Sequence, residues 1–472
     1  MKYILSILFT IQVLFSVNGQ NQILKNPGGE TSLWALFAYN ASTGKVIAET
    51  PQRSLTPASV MKLVTSATAL ELLGPEHRFV TTLKYSGKIN YETGVLNGNI
   101  YLVGGGDPAF YSEYFKDHYT GLFEKWALLV RKSGISKVNG DIIVDASIIE
   151  EEAVPDGWAW SDIGNYYGAG VYGLTYADNL YKLHFRTGKY SGKKALIKRI
   201  EPEIRGIEID NNVIASDINR DLAYVYCSPG SFNQVIRGSV PRNQNDFIVK
   251  GAMPSPPVVA AQFFKRALEA SGIEIGGSIK LQIVNKATSV YEIARKESPA
   301  LKDIVEALNV NSNNLYAEHI IREIGRVANG NSSLESGLRE VANFWKGKNI
   351  FREGFFMTDG SGLSRSNAIC TRTLVEIMLF MRKSKNREHY FSSLPVAGRN
   401  GTMIYFFKKT ALENILSAKT GSMQRVRSLA GVFKNAKGDE IIFAIIANNF
   451  SGSSYDMGKK IEPVVLRLFK SE

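Results

Sequence analysis

The sequence predicts an α+β fold: an antiparallel sheet made from the two ends of the chain, with helices packed on it and a large β-rich insertion between. Three observations lead there. A hairpin pattern, WALFAYNASTGKVIAET (Trp34 to Thr50), stands near the N-terminus. Strand-like runs, ILSAKTGSM, RSLAGVFKN and EIIFAIIANNF, stand near the C-terminus. Between them, from about Phe79 to about Lys296, short strand candidates alternate with Gly-rich turns, and helical periodicity returns only after Ser298-Pro299. A chain of 472 residues exceeds one simple core, so two or three domains are expected. The predicted division is a signal segment at 1–19, one domain built from 20–85 plus 298–472, and an inserted region at 86–297 made of two small domains.

The elements follow in order. Met1-Lys2 opens a short basic start, Tyr3 to Val17 is nearly all apolar, and Asn18-Gly19-Gln20 turns polar. That run is short for a membrane span and reads as a cleaved secretory signal, with a retained anchor as the alternative. It predicts an exported protein, soluble outside the cytoplasm, with no stable membrane span. The hairpin turns at Asn40–Gly44. LTPASVMKLVTSATALELLG (Leu55 to Gly74) then opens on Thr56-Pro57, a helix entry, and stays apolar almost all round, so a helix buried on every side is expected. The insertion holds the strand candidates GVLNGNIYLVGGGDP, VNGDIIVDAS and GIEIGGSIKLQIV. Its middle stretch, DGWAWSDIGNYYGAGVYGLTYADN (Asp156 to Asn179), is too polar for a core and too aromatic for a linker. The closing helix, KKIEPVVLRLFK, has Ile461, Val464, Val465 and Leu468 along one side. Packing on the sheet is expected in preference to a membrane-surface role.

Composition narrows the function classes. With 44% hydrophobic and 21% charged residues, the chain is neither disordered nor collagen-like. Its formal charge of +12 falls by one if the signal, whose only charge is Lys2, is removed. A basic exported protein meets acidic envelope polymers or lipid surfaces readily, although a solvated surface gives the same charge. No basic stretch interleaves with aromatics, so nucleic acid is not an expected partner. The five histidines (His77, His118, His184, His319 and His389) are scattered, and no HExxH or CxxC occurs, so neither a metal nor another cofactor is expected. Cys227 and Cys370 make no disulfide framework; they either pair or stay as buried free thiols. The oligomeric state is open.

Three short motifs carry chemistry. Ser59-x-x-Lys62 places a hydroxyl and an ammonium on one face, because residues i and i+3 are neighbours on a helix. The helix N-terminus adds partial positive charge. Desolvation or a second cation would lower the lysine pKa and let it activate the serine. The same spacing at Ser42–Lys45 and Ser191–Lys194 lies in turn-like sequence, whereas a buried helix follows Ser59. Ser312-Asn313-Asn314 sits between two helical stretches, where a loop can present side chains. Lys419-Thr420-Gly421 is the rarest, with about 0.1 such triplets expected by chance in a chain this long. In a strand its lysine and glycine point one way and its threonine the other, and the glycine admits close approach of another backbone.

In this order the motifs, together with GGGDP (Gly104 to Pro108), DGSGLSR (Asp359 to Arg365) and LPVAGRNGT (Leu394 to Thr402), resemble the D-Ala-D-Ala carboxypeptidase/endopeptidase group. These are the class C low-molecular-mass penicillin-binding proteins, peptidase family S13, and the likeness covers the whole mature chain. The resemblance implies a β-lactamase/transpeptidase-like domain with helices on both sheet faces. It implies a penicillin-inhibited serine peptidase acting on peptidoglycan stem peptides and cross-links. Ser59 would be the nucleophile, Lys62 its base, Ser312 the proton relay, Asn314 the ligand of the peptide amide and Lys419 the cation of the pocket. Thr420, Gly421 and Ser422 would line the substrate strand, with the Ser59 and Ser422 N–H groups as oxyanion hole. Asp162, Tyr167, Arg365 and Gln424 would grip the stem-peptide side chain. Two departures stand out: Asn313 replaces the Asp of the second motif, and Asn400 replaces a frequent Asp in AGRNGT.

Other readings compete. Gly104–Gly106 lacks the Lys-Ser/Thr of a phosphate loop, and Asp359–Gly362 does not match a nucleophile elbow; both predict structural turns. A β-lactamase would need a deacylating glutamate, and no ExxLN-like element lies between Ser312 and Lys419. A non-catalytic wall-binding protein on the same fold is the alternative from outside enzymology.

Overall fold

The computed structural model describes residues 25–149, 153–284 and 289–471. The predicted signal at 1–19 lies outside the described residues. The chain divides into two compact units: residues up to Pro75 with 305–313 and 338 onward, and residues 76–304 with 314–337.

The first unit is organised by a five-stranded antiparallel sheet. Its strands are β1 (Leu33–Asn40), β2 (Lys45–Glu49), β3 (Ser417–Met423), β4 (Val426–Lys434) and β5 (Glu440–Asn448), ordered β3-β4-β5-β1-β2. The N-terminal hairpin thus joins the C-terminal strands through β1 and β5, with Phe37 opposite Ala444. Alternation along the strands makes two apolar faces. Leu36, Leu429, Phe433, Phe443 and Ile445 form one core with Ile461, Val464, Val465 and Leu468 of the closing helix, Ser454–Lys470. That helix packs on the sheet, as its one-sided pattern predicts. On the other face the helix Thr371–Lys383 lies against β1 and β5, with Arg372 4.5 Å over the Phe37 ring.

Helix α1 (Lys62–Leu72) is buried from Lys62 through Leu70. Its polar side chains are satisfied inside the unit. Ser66 and Thr68 bond back to the carbonyls of Lys62 and Val64, Thr65 donates to the Gly360 carbonyl at 2.6 Å, and Trp345 Nε1 donates to Thr68 at 2.8 Å. A helix without a polar face is stable here because its hydroxyls find acceptors.

The second unit is β-rich. Strands 279–281, 142–145, 100–103, 80–86 and 290–297 form a mixed five-stranded sheet in that order. Strand 80–86 pairs with 290–297, so residues 80–85 belong to this sheet. Two helices, Leu122–Lys132 and Pro256–Ala270, also belong to this unit, where the sequence texture pointed only to strands. The second carries its own signals: Pro256 at its first position, and Val259, Ala260, Phe264, Ala267 and Leu268 on a buried face. The Gly104–Asp107 stretch is irregular backbone that runs into a turn at 108–111: a Cβ on Gly104 or Gly105 would strike the carbonyls of Gly173 or Val80, and Asp107 accepts from Tyr119 and Ala109. Both cysteines are free thiols, and burial pushes that of Cys227 up to about 11.

His319 and Asp107 make this unit pH-sensitive. Burial, helped by the Arg322 charge, lowers the His319 pKa to about 3, while burial raises that of Asp107 to about 6. As pH falls from about 6.5, the unfolded chain protonates its histidine first, so the His319 contribution to stability is lost toward pH 3. Asp107 acts oppositely: its contribution is present below about 3.9 and lost as pH rises through its folded value. Urea midpoints at pH 4.5 and 7 for His319→Gln should show a shallower acid loss than wild type, by up to about 1.4 kcal/mol per pH unit. An unchanged slope would show that His319 does not carry the effect.

Candidate active site

Ser59 lies in a single 3-10 turn, Ala58–Met61, and α1 begins at Lys62. The backbone reaches this turn through Ala58 in a left-handed conformation, φ 51°. Such a conformation in a non-glycine residue needs support from its surroundings, and three contacts supply it. Asn448, at the end of β5, brackets Thr56, accepting from its N–H at 2.9 Å and donating to its carbonyl at 3.0 Å. Ser428 of β4 donates to the Pro57 carbonyl at 2.5 Å. Gly421 of β3 abuts the turn: a Cβ there would come within 2.6 Å of the Pro57 oxygen and 2.9 Å of the Ser59 nitrogen. The close approach expected from the glycine of Lys419-Thr420-Gly421 is therefore present, and its partner is the Ser59 turn itself.

Lys62 is fully buried, at 0% exposure. Its Nζ donates to Ser59 Oγ at 3.0 Å and to the Ser361 carbonyl at 2.6 Å. The loop Asp359–Arg365 is shaped to present that carbonyl. Asp359 accepts from the N–H groups of Gly362 and Ser364, each at 2.6 Å, and from the Asn367 amide at 2.8 Å. Gly362 has φ 81°, and a Cβ on it would strike the Ala58 carbonyl. The tight turn predicted from DGSGLSR is thus the element that holds the lysine.

Ser312 sits at the break between the helices α2 (Leu301–Asn311) and α3 (Asn314–Asn329), itself left-handed at φ 57°. The loop Leu394–Met403 backs this break. Gly401 lies so close to the Val310 carbonyl that a Cβ would clash, and Asn309 donates to Ser393 at 2.9 Å. Asn400 Oδ1 accepts from the Val396 N–H at 2.7 Å. An acceptor is all this turn uses, so the Asn in place of Asp preserves it. Lys419 Nζ donates to Ser312 Oγ at 2.8 Å and to the Thr420 carbonyl at 2.9 Å. Burial first, then the charges of Lys62 and Arg427, hold the Lys419 ammonium well below the usual lysine range. Two like charges this close release a first proton more readily than either alone.

Of the remaining predicted residues, Thr420 and Gly421 are buried on β3, and Ser422 is exposed at its end. Arg365 and Gln424 line one polar cavity with Thr56, Arg425 and Asn448, and Arg365 donates to the Gln424 carbonyl at 3.4 Å. Asn314, Tyr167 and Asp162 belong to the second unit and form a chain there. Asn314 Nδ2 donates to the Tyr167 carbonyl at 2.7 Å, and the Tyr167 hydroxyl donates to Asp162 at 3.3 Å. Burial and the Asp162 charge keep that phenol neutral, its pKa pushed above the usual tyrosine value.

Sequence reasoning overlooked Asn448, Ser428 and Arg427. Asn448 ends the apolar run EIIFAIIAN, and a polar residue closing a buried strand is the one hint available. Ser428 stands opposite Gly421 in the β3–β4 register, a pairing visible only once the sheet order is known. Arg427 is buried beneath the site, 4.6 Å over the Phe406 ring, and burial lowers its pKa to about 10.

A profile of the D-Ala-D-Ala carboxypeptidase 3 (S13) family matches residues 19–468. The chain belongs to that family. As an S13 member it is a peptidase, hence a hydrolase. It is similar to a D-alanyl-D-alanine carboxypeptidase of an Actinomadura species, 28% identical over 91% of this chain and 80% of that protein. It is also similar to the D-alanyl-D-alanine carboxypeptidase DacB of Haemophilus influenzae, 25% identical over 98% of this chain and 95% of that one. The crystal structure of H. influenzae penicillin binding protein 4 shares the fold, with TM-score 0.80 and 23% identity over 95% of this chain and 97% of that one. The S13 match extends across the insertion as well as the sheet-bearing segments. No helix among the described residues is long and apolar enough to cross a membrane.

The Gly421 contact makes a sharp prediction for this S13 site. Gly421→Val would force β3 and the Ser59 turn apart. A displacement of about 1 Å at a reacting group can cost about 10²-fold in rate. The acylation rate with a fluorescent penicillin should fall by that order, and a rate near wild type would show that the contact is not needed.

Proposed function

We infer that the protein is a serine-type D-Ala-D-Ala carboxypeptidase and endopeptidase that acts on peptidoglycan stem peptides and cross-links in the periplasm. One observation carries this reading: the Lys62 ammonium lies 3.0 Å from Ser59 Oγ, in the same unit as Lys419 bonded at 2.8 Å to Ser312. Ser59 Oγ attacks the carbonyl carbon of the penultimate D-Ala, and its proton passes to Lys62 in its neutral form. The tetrahedral oxyanion takes hydrogen bonds from the backbone N–H groups of Ser59 and Ser422; losing one such donor typically costs about 2.7–4 kcal/mol of barrier. The C–N bond then breaks. Ser312, linked to Lys419, relays to the departing amine the proton that Lys62 took from Ser59, so that Lys62 is neutral again and an ester is left on Ser59. Water hydrolyses the ester and regenerates the serine.

Asn314 would hydrogen-bond the substrate amide, and Thr420 with Lys419 would receive the terminal carboxylate. A zwitterionic stem side chain would find a cation and an amide in Arg365 and Gln424 of the first unit, and a carboxylate and a phenol in Asp162 and Tyr167 of the second. If the leaving amine is the side chain of a cross-linked diamino acid, the same steps cut the cross-bridge. A β-lactam follows the path to the ester and stays.

Purified cross-linked wall and a soluble peptide ending in D-Ala-D-Ala test this directly. Mass spectrometry should find free D-Ala and opened cross-links, and labelled penicillin should remain bound. Rapid release of the label would indicate a β-lactamase, and absence of label a binding protein.

A further inference from the structure

The second unit carries a ledge of aromatic side chains that neither its core nor the proposed chemistry uses. Trp160 is 57% exposed, Tyr166 51% and Tyr224 41%. A single exposed ring is ordinary, but several on one rigid feature mark a surface that receives something. The ledge is built backbone to backbone. The helix Trp160–Ile163 packs on strand Leu222–Tyr226. The Val225 N–H donates to buried Asn165 at 3.1 Å, and a Cβ on Gly164 would strike the Val225 carbonyl. Tyr166 meets the Tyr167 ring edge-on at 5.3 Å, and Tyr224 is close enough to Tyr167 to help raise its pKa. Through the Tyr167 carbonyl the ledge is bonded to Asn314 of the second motif.

Rigid aromatic side chains offer large apolar faces at low entropic cost and prefer flat partners. The charged groups beside them are mixed: Asp162 bonds to Tyr167, Asp221 acts on Tyr166, and Lys250 Nζ lies 5.9 Å over the Tyr166 ring. Such a rim suits a largely neutral polar polymer, and its two carboxylates disfavour a phosphate backbone. A stem peptide is attached to a chain of N-acetylated amino sugars, whose pyranose rings present flat C–H faces with polar edges. We propose that Trp160, Tyr166 and Tyr224 form a platform that binds the glycan strand from which the stem peptide hangs. This rests on the proposed function and extends it: the enzyme recognises its substrate as a glycopeptide and not as a peptide alone.

The test uses the mature full chain and three substrates or ligands. Peptide-free glycan strands should retain wild-type protein. The Trp160→Ala/Tyr166→Ala double variant and, separately, Tyr224→Ala should each bind about tenfold more weakly. Release of D-Ala from a soluble peptide ending in D-Ala-D-Ala should stay within about twofold of wild type, while release from the same peptide borne on polymeric glycan falls about tenfold. Wild-type penicillin labelling at Ser59 checks that each variant is folded, and the two variants probe different elements of the ledge, the stretch 160–166 and the strand Leu222–Tyr226, independently. Equal glycan binding by variants and wild type overturns the platform. So does an equal fall on free and glycan-borne peptide, or binding of oligo-dT as tight as that of glycan. Failure of the wild type to cleave the soluble peptide would instead sink the functional reading, and the retention measurement would still decide whether the ledge binds glycan.

Discussion

Ser59→Ala should leave no lasting penicillin label and should lower D-Ala release by about 10⁴-fold or more, as removal of a nucleophile does in other serine peptidases. The substitution deletes one oxygen from a half-exposed position, so folding should be untouched. The strain at Ala58 is held by Asn448, Ser428 and the Gly421 contact, none of which involves the Ser59 side chain. The variant should therefore keep its wild-type melting temperature and still bind the stem peptide. Any residual turnover comes from binding and the backbone donors alone. Stable acylation of the variant would place the nucleophile elsewhere and remove the proposed mechanism.

Lys62→Met should have an effect of comparable size but a different signature. The methionine fills the same fully buried space, so packing largely survives. The proposed proton acceptor for Ser59 is lost, and general-base catalysis typically contributes about 10²–10⁴-fold. The Ser361 carbonyl also loses its bond from the Lys62 ammonium at 2.6 Å, and a hydrogen bond to a charged group typically contributes about 1.5–3 kcal/mol. The acylation rate and the urea midpoint should therefore fall together, unlike in Ser59→Ala. Lys419 supplies a second check. One cause of its lowered pKa is the Lys62 charge, so removing that charge should move its titration upward. The residual acylation of the Lys62→Met variant, followed against pH, should have its basic limb displaced to higher pH. A rate within an order of magnitude of wild type, with an unmoved limb, would show that Lys62 is not the base.

Much of the site's composition could be read from local pattern. Ser59 and Lys62 share one face because they are a turn apart, and the apolar segment after them predicts the burial of α1. Lys419 and Gly421 point the same way because strand side chains alternate, and this sends one to Ser312 and the other to the Ser59 turn. The hairpin near the N-terminus and the runs near the C-terminus announced a shared sheet, which β1 and β5 form. The insertion was harder. Its strands showed through their turns, but Leu122–Lys132 and Pro256–Ala270 were lost among them, since short apolar runs do not by themselves separate helix from strand.

Sequence pattern, then, pointed to the fold class, the candidate groups and their local orientation, because burial and periodicity act over a few residues. Only the folded chain chose the partners. The carbonyl that receives Lys62 lies 299 positions away, the hydroxyl bonded to Lys419 lies 107 positions away, and the amide bracketing Thr56 lies 392 positions away. Polar groups so distant meet through sheet order and close backbone packing, and no short stretch of sequence carries that information.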